Sequence, residues 1–250
     1  MQRRNFMTQT AGFGLLAAAA AIPDSLSFGA NLLGGTTGEK TAGSAGPLTP
    51  PAKGKIPVAF AISDGVTVID FAGPWEVFQD VHVRNRGADM EEQMPFELFT
   101  VSEKTEVLSG SAGLKLVPDY TFANAPQPKV VVVPAQRGSK ALHQWLREVS
   151  KTTDVTMSVC TGAFQLGTAG LLSGKAATTH HDFFDRFAKA FPDVTVKRGL
   201  RFVEGERIST AGGLTSGIDL ALRVVDRYFG REVAQATANY MEYQSTAWMV

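Results

Sequence analysis

The chain has 250 residues, 44% of them hydrophobic and 19% charged, a globular composition with room for one substantial core. Its 24 basic and 24 acidic side chains cancel and no basic stripe stands out, which argues against nucleic acid or an acidic membrane surface as a partner. A single cysteine, Cys160, excludes an internal disulfide, so packing alone must hold the fold.

Arg3 and Arg4 stand just ahead of a mild apolar run from Ala11 to Ile22. This pattern resembles a twin-arginine export signal, expected over residues 1–30, with cleavage between Ala21 and Ala30. The run is too short to span a bilayer, which takes about 20 residues, so no stable membrane anchor is expected after processing. The expected location is periplasmic, an oxidising compartment where a lone thiol is a liability unless it is buried or useful. Residues 31–55 are rich in Gly, Thr, Pro, Ser and Lys and read as a flexible linker; one α/β domain is expected over 56–250.

Ile56 to Ile62 reads as a short apolar strand, closed by Ser63-Asp64-Gly65, and a helix follows with Pro74 near its first turn. Asn85 to Pro95 reads as a polar loop, Phe96 to Ser102 as a second strand, and Val107 to Phe122 as short strands separated by turns. Lys129 to Val133 holds four consecutive valines, the pattern of a strand buried on both faces of a parallel sheet. A helix over Ala141–Val149, a buried strand over Val155–Val159 and a helix from Thr161 to Leu172 ending at Gly174 come next. Then follow a strand (Lys175–Thr179), a helix (His181–Phe191), a hairpin-like pair (Val194–Arg198 and Glu206–Thr210) and two helices (Ser216–Phe229 and Arg231–Tyr243). Strands alternating with helices predict an open, mostly parallel sheet covered on both faces.

In such a sheet, ligands bind outside the carboxyl ends of the strands. Cys160 is expected there, between a buried strand and a helix that begins Thr161-Gly162-Ala163. A nucleophile on a tight strand-to-helix turn follows the logic of the nucleophile elbow, and a helix N-terminus lowers a thiol's pKa. The alternative is a buried structural cysteine. Asp70, just after the first strand, is the carboxylate to pair with it: among Ile69 and Phe71 its pKa should rise, suiting proton transfer near neutral pH. It could instead simply cap a helix. His180 and His181 invite a metal reading, but on a strand adjacent residues face opposite ways, so no metal site and no cofactor are expected.

Ser158-Val159-Cys160-Thr161-Gly162-Ala163-Phe164, followed by Ala169 to His180, resembles the ThiJ/PfpI superfamily of class I amidotransferase-like proteins, whose fold is flavodoxin-like. Asp70 to Phe78 and Ser209 to Ala221 resemble two signatures of one branch, which holds isonitrile hydratases and the sensor halves of some AraC-type regulators. The resemblance runs from Ile56 to about Tyr243. It implies Asp70 as acid/base partner of Cys160, and implicates Thr161, whose N–H could stabilise developing negative charge while its hydroxyl orients substrate or water. Relatives usually carry Pro-Gly-Gly after the valine strand; here Pro134-Ala135-Gln136 puts Gln136 at the oxyanion-donor position. His180 and Gly213 match pocket positions, with a packing role equally open for His180. A homodimer is implied as well.

The residues argue against several activities of that superfamily. A glutaminase needs a His-x-Glu pair late in the chain, yet the last histidine is His181; peptidase-type relatives place His directly after the nucleophile, where Thr161 stands. Glyoxalase and deglycase branches pair the cysteine with a Glu, which here would have to be Glu76. The expectation is therefore a small-molecule hydratase acting on an isonitrile. The alternatives are a non-enzymatic binding or redox-sensing protein, or a glyoxalase/deglycase activity.

Overall fold

The computed structural model describes residues 45–250; the expected export signal over 1–30 and the expected linker up to residue 44 lie outside the described residues. In chain order the elements are β1 (Ile56–Ala61), α1 (Val68–Gln79), α2 (Met90–Gln93), β2 (Phe96–Ser102), β3 (Leu108–Ser109), β4 (Lys115–Leu116), β5 (Tyr120–Thr121) and β6 (Val130–Val133). They continue as α3 (Lys140–Val149), β7 (Val155–Ser158), α4 (Gly162–Thr168), β8 (Ala176–Ala177), α5 (Phe184–Ala190), β9 (Thr195–Val196), β10 (Phe202–Val203), β11 (Ile208–Ala211), α6 (Ser216–Phe229) and α7 (Arg231–Tyr240).

Seven strands form one sheet in the order β10-β11-β7-β6-β1-β2-β5, parallel except for the β10–β11 pair. The four valines of β6 are fully buried, as a central strand covered on both faces requires. Val130 and Val132 face a core shared with α1, α6 and α7, while Val131 and Val133 face a second core built with α3, α4 and Phe187 of α5. Successive side chains of a strand point to opposite faces, so one run of valines feeds both layers. The α/β fold with helices on both faces stands as the sequence predicts.

Several expectations fail, each for a physical reason. Pro74 sits in the middle of α1 rather than in its first turn, because the helix starts at Val68. The loop from Asn85 to Pro95 contains α2, whose first turn is capped by the Asp89 carboxylate accepting from Glu92 N–H at 2.9 Å. Helix α4 stops at Thr168, well short of Leu172: Gly170 takes φ +78° and Leu171 N–H reaches back to the Leu166 carbonyl at 3.0 Å, the closing bond of a glycine-terminated helix. The expected strand over Lys175–Thr179 shrinks to β8, which pairs in parallel with β9 in a separate small sheet. The expected hairpin is absent, since β9 pairs with β8 while β11 inserts beside β7.

Ahead of β1, the described end of the expected linker is bound to the body. Ala45 N–H donates to Glu204 Oε2 at 3.3 Å, Arg227 Nε donates to the Gly46 carbonyl at 2.9 Å, and Leu48 N–H donates to the Arg227 carbonyl at 2.7 Å. Glu204 and Arg227 are buried, and Leu48 packs on the α1/α6 core. Residues 45–48 therefore belong to the folded unit.

Candidate active site

Cys160 stands two residues past the end of β7, at a carboxyl end of the central strands, with α4 beginning two residues later. Its φ is +59°, the left-handed region that costs a non-glycine residue about 1–3 kcal/mol and is held only where the surroundings over-determine it. Here they do. Cys160 N–H donates to the Gly212 carbonyl at 2.7 Å, and the Thr179 hydroxyl donates to the Cys160 carbonyl at 2.9 Å. On the helix side, Gly162 lies so close to the end of β6 that a Cβ there would sit 2.0 Å from the Val133 carbonyl oxygen. The small residues after the cysteine are thus a condition of the turn.

Asp70 lies in the first turn of α1 with no solvent exposure. Its Oδ2 accepts the Ala135 N–H at 3.0 Å, and the buried Oδ1 has no hydrogen-bond partner of ordinary geometry among the described residues. Burial pushes its carboxyl up to about 6, against the Ala135 N–H and the neighbouring Cys160 thiol, both of which favour the charged form. The thiol is pushed up to about 11, first by its own burial and then by the Asp70 charge. The sequence leads one to expect a thiol acidified by the helix N-terminus. The N–H groups of Thr161 and Leu214 do face the sulfur and lower its pKa, but burial and the carboxylate outweigh them. Glu76, the competing carboxylate, is exposed six residues further along α1 and takes no part in the thiol's electrostatic surroundings.

The other predicted residues divide. Thr161 is half-buried at the entry to α4, where its hydroxyl caps nothing. The Gln136 side chain turns back to the sheet, donating from Nε2 to the Ala61 carbonyl at 2.6 Å, and Gln165 Nε2 donates to its backbone carbonyl at 3.2 Å. In that loop it is the Ala135 N–H that is spent on the Asp70 carboxylate. Gly213 and His180 meet: a Cβ on Gly213 would lie 2.3 Å from the His180 ring. Both line a cleft of about 380 Å³, whose wall also carries His181, Arg201, Leu214 and Thr215. Neither Cys160 nor Asp70 is on that wall.

His180 and His181 are not on a strand, which overturns the geometric ground for separating them. His180 opens a single 3-10 turn over His181–Phe183, and the two rings stack with centroids 4.4 Å apart and planes 24° apart. Leu214 and Ala135 are the site residues that sequence reasoning misses. The one available signal for Leu214 is the Gly212-Gly213 pair just ahead of it; Leu214 itself takes φ +50° and turns its N–H to the thiol. Arg201 is also missed. The buried Asp219 holds it through Nε at 2.7 Å, with Thr215 and Tyr243 hydroxyls 3.2 and 3.1 Å from Nη2.

Known proteins resemble this chain in sequence and in fold. The chain is 30% identical over 192 residues to the isonitrile hydratase of Pseudomonas putida, covering 74% of this chain and 78% of that one. It is 27% identical over 192 residues to the HTH-type transcriptional regulator GbdR of Pseudomonas aeruginosa, of which it spans 50% of the length. A ThiJ/PfpI family protein from Pseudomonas syringae superposes with TM-score 0.65 at 24% identity over 83% of this chain and 84% of that one. Drosophila melanogaster DJ-1beta superposes with TM-score 0.63 at 15% identity over 77% of this chain and 100% of that one. The model of the DJ-1/PfpI family matches residues 57–227, from the first strand to the end of α6, and the chain belongs to that family.

Proposed function

We propose that this chain is a cysteine-dependent hydratase that converts an isonitrile to an N-substituted formamide, with Cys160 as nucleophile and Asp70 as acid and base. One observation carries the reading: at the elbow a protonated thiol adjoins a buried carboxyl whose pKa is raised to about 6. Above that pH the carboxyl is ionised and can take the thiol proton as sulfur attacks the terminal carbon of the isonitrile. The same proton then passes from Asp70 to that carbon, giving a thioimidate. Water, deprotonated by Asp70, adds to the thioimidate carbon, and Asp70 passes that proton on to the nitrogen, leaving the hydroxyl proton of the adduct to return to sulfur. Cleavage of the C–S bond releases the formamide and, on reprotonation, restores the thiol. One water is consumed and no redox step is needed. The N–H groups of Thr161 and Leu214 would steady negative charge on sulfur as the C–S bond forms and breaks. The similarity to the Pseudomonas putida isonitrile hydratase supports the same reading.

Full-length protein incubated with a simple alkyl isonitrile should yield the formamide, measured by chromatography. Cys160→Ala should yield none, and Asp70→Asn should lose about 10²–10⁴-fold in kcat/KM, the usual worth of a positioned acid/base. The wild-type kcat/KM should rise with pH through a limb near 6 that Asp70→Asn lacks. Wild-type rates from Cys160→Ala would sink the mechanism. A folded wild-type protein with a titratable thiol and no formamide would move the reading to ligand binding without turnover, which the regulator relatives favour.

The proposal includes export by the twin-arginine route, resting on Arg3-Arg4 and the apolar run to Ile22. In a bacterial host the chain should fractionate with the periplasm. Replacing both arginines by lysine should retain it in the cytoplasm.

A further inference from the structure

The two histidines that the mechanism leaves unused form, with Asp182, a compact set of potential metal ligands. One ligand atom from each of His180, His181 and Asp182 lies within 4.8 Å of the others. His181 Nε2 is 3.1 Å from Asp182 Oδ1, and His180 Nδ1 is 3.7 Å from Asp182 Oδ2. Among the described residues this is the one such grouping of three.

We propose that His180, His181 and Asp182 bind a divalent transition-metal ion of the zinc or copper type at the edge of the cleft beside Gly213 and Leu214. Two imidazoles and one carboxylate suit such borderline-soft ions, whereas calcium and magnesium take oxygen ligands. Three protein ligands leave coordination positions for water or a small anion.

His180 is held in place by packing, and the exposed His181 and Asp182 follow it on the same 3-10 turn. The His180 ring is wedged against Gly213, meets Phe183 edge-on at 5.8 Å and lies under the His181 ring at 4.4 Å. Any β-carbon at position 213 would push His180 aside, so a loop that serves the thiol also fixes the first ligand. The Asp182 N–H points at His180 Nδ1 at 3.3 Å, a long hydrogen bond that a metal bond would replace with a small shift of the ring. Both histidines line the cleft, so the ion would stand on its wall.

Zn²⁺ titrated into the full-length protein by calorimetry, and Cu²⁺ followed by electron paramagnetic resonance, test this without any reference to turnover. The expected result is one saturable site, with copper showing coupling to two imidazole nitrogens. His181→Ala should remove one nitrogen from the spectrum, and both His181→Ala and Asp182→Asn should weaken zinc by at least about tenfold, the smaller loss seen when even an outer-shell partner of a metal ligand is removed. The His181 and Asp182 side chains are 75% and 67% exposed, so these variants leave the fold undisturbed. Cys160→Ala should bind as the wild type does. No saturable site, binding that survives both His181→Ala and Asp182→Asn, or loss of binding in Cys160→Ala would each overturn the assignment. The last would transfer the metal to the thiol.

Discussion

Asp70 shows how a single residue trades stability for chemistry. Its carboxyl has a folded-state pKa near 6 against 3.8 when free, so the native state prefers the protonated form. The stability this contributes is fully present below pH 3.8 and is lost as the pH rises through 6. At neutral pH the ionised Asp70 should therefore cost the fold about 3 kcal/mol. Asp70→Asn keeps an oxygen for the Ala135 N–H and removes the charge. It should raise the urea midpoint at pH 7.5 and leave it unchanged at pH 4, while activity falls. That Asp70 would be perturbed is readable from its apolar neighbours in the sequence, and the direction of its shift follows. The thiol's direction does not. Its local surroundings, a helix start, argue for acidity; its burial and the Asp70 charge come from a helix 90 residues earlier and reverse the sign.

Among the elements, those defined by local pattern are legible and those defined by a partner are not. The valine run of β6, the apolar β1 and the amphipathic α3 and α6 lie where the sequence puts them, since each announces its own burial. The ends of α4 and the pairing of β8, β9 and β11 depend on a glycine's φ and on distant strands. Two glycines of one helix-turn region make the point by experiment. Gly162→Ala would set a Cβ against the Val133 carbonyl and force the elbow to shift. It should cost about 1–3 kcal/mol, as overpacking does, and about a hundredfold in kcat/KM, as a misplaced nucleophile does. Gly170→Ala meets open space and only a positive φ, so it should cost about 1 kcal/mol with kcat/KM unchanged. Equal kinetic losses in both variants would show that the elbow is not the sensitive part.

For the molecule as a whole, composition misleads at the N-terminal edge of the body. Gly, Thr, Pro and Ser make residues 31–55 read as a tether, yet 45–48 are bound by Glu204 and Arg227, buried groups more than 150 residues away. A chain beginning at Ile56 would strip partners from that buried pair and uncover the core where Leu48 packs. At about 1 kcal/mol per lost hydrogen bond it should melt several degrees lower than a chain beginning at Ala45, with each kcal/mol worth roughly 2–4 °C. Identical melting temperatures for the two chains would mean that the bound segment contributes nothing.

The same bound segment sets a direction. Glu204 follows β10 next to the start of β11, and Arg227 lies near the end of α6, whereas Cys160 follows the end of β7, which runs parallel to β11. Residues 45–48 are thus moored at the opposite end of the sheet from the thiol. Cargo fused ahead of Ala45, whether a fluorescent protein or a surface-immobilisation handle, emerges behind the reaction centre. The protein can be arrayed by that end with its elbow turned outward.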